Sequence, residues 1–89
     1  MRPELPTRCL LTVEAEADPQ LPRRVLDIFA VRSQLPASFA MRVCDEERLE
    51  IAIELLDIDE TAVDLLRQRI LKIPTVITAW RTFRWDRNQ

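Results

Sequence analysis

The amino-acid sequence predicts one α+β domain in which strand, helix, strand, strand, helix and strand follow one another. Three observations carry this. Apolar residues alternate with polar ones at period 2 in separate stretches, the mark of half-buried strands. Between these stretches, twice, apolar residues recur at helical spacing and are bounded by proline or acidic residues. Finally, 89 residues suffice for one domain with a modest core.

Met1 to Thr7 contains Pro3 and Pro6 and reads as an extended lead-in. From Arg8 onward, Cys9, Leu11, Val13 and Ala15 share one face and Thr12, Glu14 and Glu16 the other, a first strand with an acidic exterior. Asp18-Pro-Gln-Leu-Pro22 turns into a helix, with Asp18 the expected cap and proline tolerated in the first turn. Leu21, Val25, Ile28 and Phe29 form the stripe of that helix, which ends near Ser33, and Pro36 closes the connection. Phe39, Met41 and Val43 against Ser38, Ala40 and Arg42 make a second strand, and Asp45-Glu-Glu-Arg48 links it to the third. There Leu49, Ile51, Ile53 and Leu55 alternate with Glu50, Ala52 and Glu54. Asp57-Ile-Asp-Glu60 places acids where a helix N-terminus favours them. Ala62, Val63, Leu66, Ile70 and Ile73 supply the second stripe, Pro74 stops the helix, and Thr75 to Ala79 is the last strand. The expected organisation is a lead-in at 1–7, a domain at 8–80 and a basic aromatic tail at 81–89.

Two such halves, joined by right-handed crossovers, close most compactly as a four-stranded antiparallel sheet with both helices on one face, a ferredoxin-like arrangement. The other face stays open and the second strand falls at an edge. Unpaired edges invite another chain, so a homodimer is expected, by edge-strand or helix-face pairing.

Composition narrows the chemistry. The chain has no histidine, no tyrosine and no glycine, and its two cysteines, Cys9 and Cys44, lack CxxC spacing. Neither a disulfide scaffold nor a metal site is expected, no cofactor is implied, and a Gly-rich phosphate cradle is excluded. Tight turns must then rest on Asp, Asn, Ser or Pro chemistry. No apolar run is long enough to span a bilayer and no secretory leader is visible, so the expected compartment is the cytoplasm, with no membrane partner. Charge is uneven: residues 1–66 hold 7 basic and 14 acidic side chains, residues 67–89 hold 6 and 1.

Candidate sites follow from these patterns. The loop from Asp18 to Pro22, with Asp18, Gln20 and Leu21, could hold a small carboxylate on helix-start N–H groups. Pro19 and Pro22 remove two of those donors and Asp18 repels an anion, which favours a helix cap. The open face, with Thr12, Glu14, Glu16, Arg42, Cys44, Glu50 and Glu54, reads as acidic and free of aromatics, against nucleic-acid binding. Its carboxylates read as solvated strand exterior rather than a catalytic pair, and no catalysis is assigned. Leu26 and Ala30 on the first helix and Leu65 on the second lie off the core stripes and suit a partner contact. In the tail Trp80-Arg-Thr-Phe-Arg-Trp85, Trp80 is expected over the core, and Phe83, Arg84 and Trp85 are expected to dock on a partner.

Ala17-Asp-Pro19, Arg24-Val-Leu26 and Ile28-Phe-Ala-Val-Arg32 in the first half resemble the loop and first helix of the ACT domain, the amino-acid-sensing module of metabolic enzymes. In the second half Ile53-Glu-Leu55, Ala62-Val-Asp-Leu-Leu66, Leu71-Lys-Ile73 and Val76 extend the likeness over roughly Cys9 to Trp80. The chain resembles in particular the short single-domain small (regulatory) subunit of acetolactate (acetohydroxyacid) synthase. That resemblance implies a non-catalytic chain that binds the catalytic large subunit, where thiamine diphosphate, magnesium and flavin perform the chemistry of branched-chain amino-acid biosynthesis. It also implies an amino-acid effector at a dimer interface in members that keep the loop glycine, a position held here by Gln20. Ala17 replaces the usual asparagine, and the glycine after the first helix falls near Ser33 or Gln34. A stand-alone amino-acid sensor and an orphan interaction domain remain the alternatives.

Overall fold

A computed structural model describes residues 8–84. In chain order the elements are β1 (Arg8–Glu16), α1 (Leu21–Val31), β2 (Ser38–Val43), β3 (Arg48–Leu56), α2 (Glu60–Leu71) and β4 (Val76–Arg84). The sheet has the order β2-β3-β1-β4 with every neighbour antiparallel, so β2 and β4 are its edges. This is the ferredoxin-like βαββαβ arrangement that the sequence predicts.

The core lies between the sheet and the helices. Cys9, Leu11, Val13 and Ala15 of β1 meet Leu49, Ile51, Ile53 and Leu55 of β3, and all are buried. Leu21, Val25 and Phe29 of α1 and Val63, Leu66 and Ile70 of α2 cover them. The two inner strands thus follow their alternation except at Thr12, which lies on the open face and is also buried.

Helix ends show how a chain without glycine turns. Asp59 caps α2, its side chain accepting the Ala62 N–H at 2.9 Å. At the end of α1 the Gln34 N–H returns to the Phe29 carbonyl and the Ser33 N–H to that of Ala30, the pairing that lets a left-handed residue close a helix. Ser33 occupies that position at φ 55°, and Asp57 turns at φ 53° before α2. The α1 N-terminus departs from expectation: Gln20 is the capping residue, and it makes no side-chain bond to the helix.

The last strand also departs from expectation. It runs past Trp80, the expected last residue of the domain, and on through Arg84. An irregularity at Glu14/Ala15 shifts the β1–β4 register, pairing Ala15 with Val76 but Val13 with Ala79. The extra residue reverses which side chains face the core. Ala79, Arg81 and Phe83 therefore share the helix face with Val13, Leu11 and Cys9, while Trp80 stands opposite Thr12 on the open face, 43% exposed. It does not fold over the core.

Candidate functional site

The β1–α1 loop is tied to both of its neighbours. The Glu16 N–H donates to the Thr75 carbonyl at 2.9 Å and the Ala17 N–H to the Glu47 carbonyl at 3.0 Å. The Asp18 N–H turns back to Glu16, and the Leu21 N–H bonds the Asp18 carbonyl. Asp18 Oδ1 accepts the Gln20 N–H and Oδ2 accepts the Thr75 hydroxyl, each at 2.9 Å. Pro19 and Pro22 carry no N–H. Every amide donor from Glu16 to Pro22 is thus already used inside the protein, and none is left pointing at a ligand carboxylate. Asp18 is a strut between this loop and the α2–β4 turn rather than the cap of α1. The Gln20 N–H, then the Thr75 hydroxyl, stabilise its charged form and hold its carboxyl below the usual carboxylate range. Leu21 is fully buried in the core and Gln20 is exposed. The groove beside the loop is lined by Glu16, Ala17, Glu46, Glu47, Arg48 and Ile77, three carboxylates against one guanidinium, which does not suit an anion.

Among the described residues, the expected partner residues are spread over α1, α2 and β4. Leu26 and Leu65 are both exposed on the helices. Leu65 lines a cavity of about 120 Å³ with Arg32, Gln34, Ala62 and Leu66, a set that does not include Leu26. Phe83 packs at the rim of the core beneath Arg81, whose guanidinium lies 5.1 Å from the ring centroid. That placement makes Phe83 part of the domain and not of a free tail. Arg84 ends β4, and Trp85 lies outside the described residues. Among the described residues there is no cluster of His, Cys, Asp or Glu placed for a metal, and no helix is long and apolar enough to cross a membrane. Cys9 is buried, which raises its thiol pKa by desolvation, whereas Cys44 is exposed.

Two surfaces weighed in the sequence carry exposed apolar side chains that it did not foresee there. The first is the open sheet face. Three of its glutamates are paired: Arg8 with Glu54 at 3.4 Å, Arg42 with Glu50 at 3.1 Å and Arg48 with Glu14 at 3.4 Å. Between these pairs run Leu56, Leu10 and Trp80, all exposed, so the face is neutralised and carries an aromatic. The sequence could not show this, because the strand irregularity that sends Trp80 outward leaves no mark in residue type. The second surface lies along β2. Met41 at 46% and Val43 at 62% exposure lie on β2, with Leu35 at 86% in the connection before it and Val31 at 82% at the end of α1. The alternation of β2 is visible in sequence, but nothing there says that the helices leave its helix-side residues uncovered.

Among solved structures of similar fold is the ACT domain from GTP pyrophosphokinase of Chlorobium tepidum, with a TM-score of 0.73 at 9% identity over 85% of this chain and 97% of that one. The fold is ACT-like. The C-terminal domain of the MgtC protein from Mycobacterium tuberculosis is also similar, with a TM-score of 0.69 at 8% identity over 93% of each chain. An uncharacterized protein from Thermotoga maritima matches with a TM-score of 0.68 at 18% identity, over 86% of this chain and 95% of its own. No protein-family model and no curated protein sequence matches the chain.

Proposed function

We propose that this ACT-like chain is a non-catalytic regulatory domain that works through protein contacts, as an activating small subunit of acetolactate synthase. The observation that carries the reading is the β1–α1 loop, whose amides are all bonded within the protein. A carboxylate seated there would have to displace bonds the domain already makes, each of which is expensive to leave unmade. Exposed apolar side chains on two other surfaces supply contacts for protein partners instead. The choice of partner rests on the resemblance of Ala17-Asp-Pro19, Ile28-Phe-Ala-Val-Arg32 and Ala62-Val-Asp-Leu-Leu66 to the short small subunits. The large subunit would hold the cofactors and perform the chemistry. This chain would bind the competent arrangement of that subunit more tightly than the incompetent one, and so shift its population.

The test is a titration of the large subunit from the same organism with this chain, followed by mass photometry and turnover. Association with raised turnover, and no requirement for added amino acid, is the expected result. No association at micromolar concentrations would overturn the proposal. The ACT-like fold keeps one other reading in play, a stand-alone sensor that takes an amino acid between two copies. Calorimetric binding of valine, leucine or isoleucine to the chain alone, abolished by changing Gln20, would favour it. An orphan interaction domain would show neither behaviour.

A further inference from the structure

Two sets of cations differ in their surroundings. Arg8, Arg42 and Arg48 on the open face and Arg81 on β4 are paired with carboxylates, and Arg67 Nε donates to the Ala79 carbonyl at 2.7 Å. Arg24, Arg32, Arg69 and Lys72 form no ion pair with a described residue, and all four belong to the helices or their C-caps. The acids of α2 do not offset them, because Glu60 and Asp64 turn to Arg81 on the β4 side. A chain of formal net charge −2 thus carries unneutralised positive charge on its helix layer.

The seam between those helices is apolar. A groove runs along it as two cavities that share Arg32. The larger, of about 320 Å³, is lined by Asp27, Ile28, Val31, Arg32 and Arg69. The smaller, of about 120 Å³, has Leu65 and Leu66 as its apolar wall. Val31 and Leu65 are exposed there and Ile28 is half-buried. Helical spacing produces the arrangement: Asp27 and Val31 are one turn apart on α1, and Ala62, Leu65 and Arg69 follow at three and four residues on α2. Leu65 in one cavity and Arg69 in the other therefore set the cavities about one helical pitch apart, roughly 5–6 Å.

We propose that this groove receives an acidic amphipathic helix of a partner protein. Two of its apolar side chains, one turn apart, fill the two cavities, and carboxylates beside them pair with Arg32 and Arg69. Side chains four apart on a helix have the same roughly 5–6 Å separation as the cavities, the geometry by which amphipathic helices seat in grooves. Charge selects the occupant. Guanidinium and carboxylate pair in a planar, two-bonded geometry, and Arg24 and Lys72, one turn beyond Ile28 and Arg69, carry the positive charge past the cavities. A second copy would bring these same cations against themselves, which like-charge repulsion opposes. Nucleic acid would find no aromatic in the lining on which a base could stack. The inference rests on the reading of this chain as a domain that works through protein contacts, and it specifies what the partner presents.

Fluorescence anisotropy with synthetic stapled helices of about four turns tests it on this chain alone. A helix with two leucines four apart, flanked by glutamates, should bind saturably and more weakly as salt is raised. The same helix with lysine in place of glutamate, or alanine in place of leucine, should bind roughly tenfold more weakly. Arg32→Glu/Arg69→Glu should exchange the preference and take the lysine helix over the glutamate one, a result that unfolding cannot produce. Arg23→Glu, outside both cavities, should leave the glutamate helix bound within roughly twofold. If the double variant fails to fold, Arg32→Gln and Arg69→Gln singly should each weaken the glutamate helix. Equal binding of the two charged helices, saturable binding of neither, or displacement of the glutamate helix by a uridine oligonucleotide would overturn the proposal. A titration of the large subunit separates the two readings. If the native and Arg32→Glu/Arg69→Glu chains associate with it equally, the groove assignment falls and the subunit reading stands. If the native chain does not associate, the subunit reading falls and the synthetic helices alone decide the groove.

Discussion

Ser33 and Asp57 adopt left-handed backbone, at φ 55° and 53°, because this chain has no glycine to place there. The position of Ser33 is the one after a helix where glycine is commonest, since a Cβ crowds the following carbonyl in that conformation. Ser33→Gly is therefore expected to stabilise the domain by about 0.5–1 kcal/mol despite the added freedom of the unfolded chain. Urea unfolding measures this, and a loss of stability would show that the Ser33 side chain contributes more than its Cβ costs. Asp18 is the other residue with a definite consequence. Its carboxyl is held below its ordinary range by the Gln20 N–H and then the Thr75 hydroxyl. A depressed carboxylate stabilises the fold above the pKa of the unfolded chain, and that stability fades as pH falls through the lower folded value. The urea midpoint of the native chain should thus decline below about pH 4, and Asp18→Asn should decline less steeply over the same range. Parallel profiles would mean that the strut to Thr75 does not outlast solvation. The role of Asp18 was half legible in sequence: a turn-forming acid before a helix was clear, but its partner lies 57 residues away in another turn.

At the scale of elements, the inner strands and both helix stripes were legible because burial on one side enforces a strict period. Leu66 shows the reliability of that signal, being buried while its neighbour Leu65 is exposed. Leu66→Ala should cost about 2–5 kcal/mol, the usual range for a buried leucine, and Leu65→Ala should stay within about 0.5 kcal/mol as a surface change does. A large effect at Leu65 would mean that another surface covers it. The outer strands were less legible, each for its own reason. In β4 one inserted residue reverses the faces, sending Trp80 out and bringing Arg81 and Phe83 in. Alternation in sequence counts residues, whereas the pleat counts pairs, and a bulge separates the two counts. Phe83→Ala should consequently lower stability, by about 1–2 kcal/mol for a half-buried ring against the 3–5 of a fully buried one. Unchanged urea stability would return Phe83 to the surface role its sequence context suggested.

For the molecule as a whole, the distribution of apolar surface decides more than its amount. The helices bury the centre of the sheet and the β4 side, but the β2 side keeps Met41 and Val43 uncovered. A domain this small buries a limited share of its chain surface, so association is a direct way for it to gain stability. If β2 pairs with a second copy, folding and association are linked, and the melting temperature must depend on concentration. A hundredfold rise in chain concentration adds about 2.7 kcal/mol per dimer, or about 1.4 per protomer. With about 4–8 °C per kcal/mol for a domain of this size, the midpoint should rise by about 5–11 °C. Calorimetry between 2 and 200 μM order of concentration reads this shift directly. Met41→Lys/Val43→Lys should melt at one temperature throughout, near the value the native chain approaches on dilution. A native midpoint that did not move would mean the uncovered side of β2 is already stable in water, leaving that edge free for a different protein.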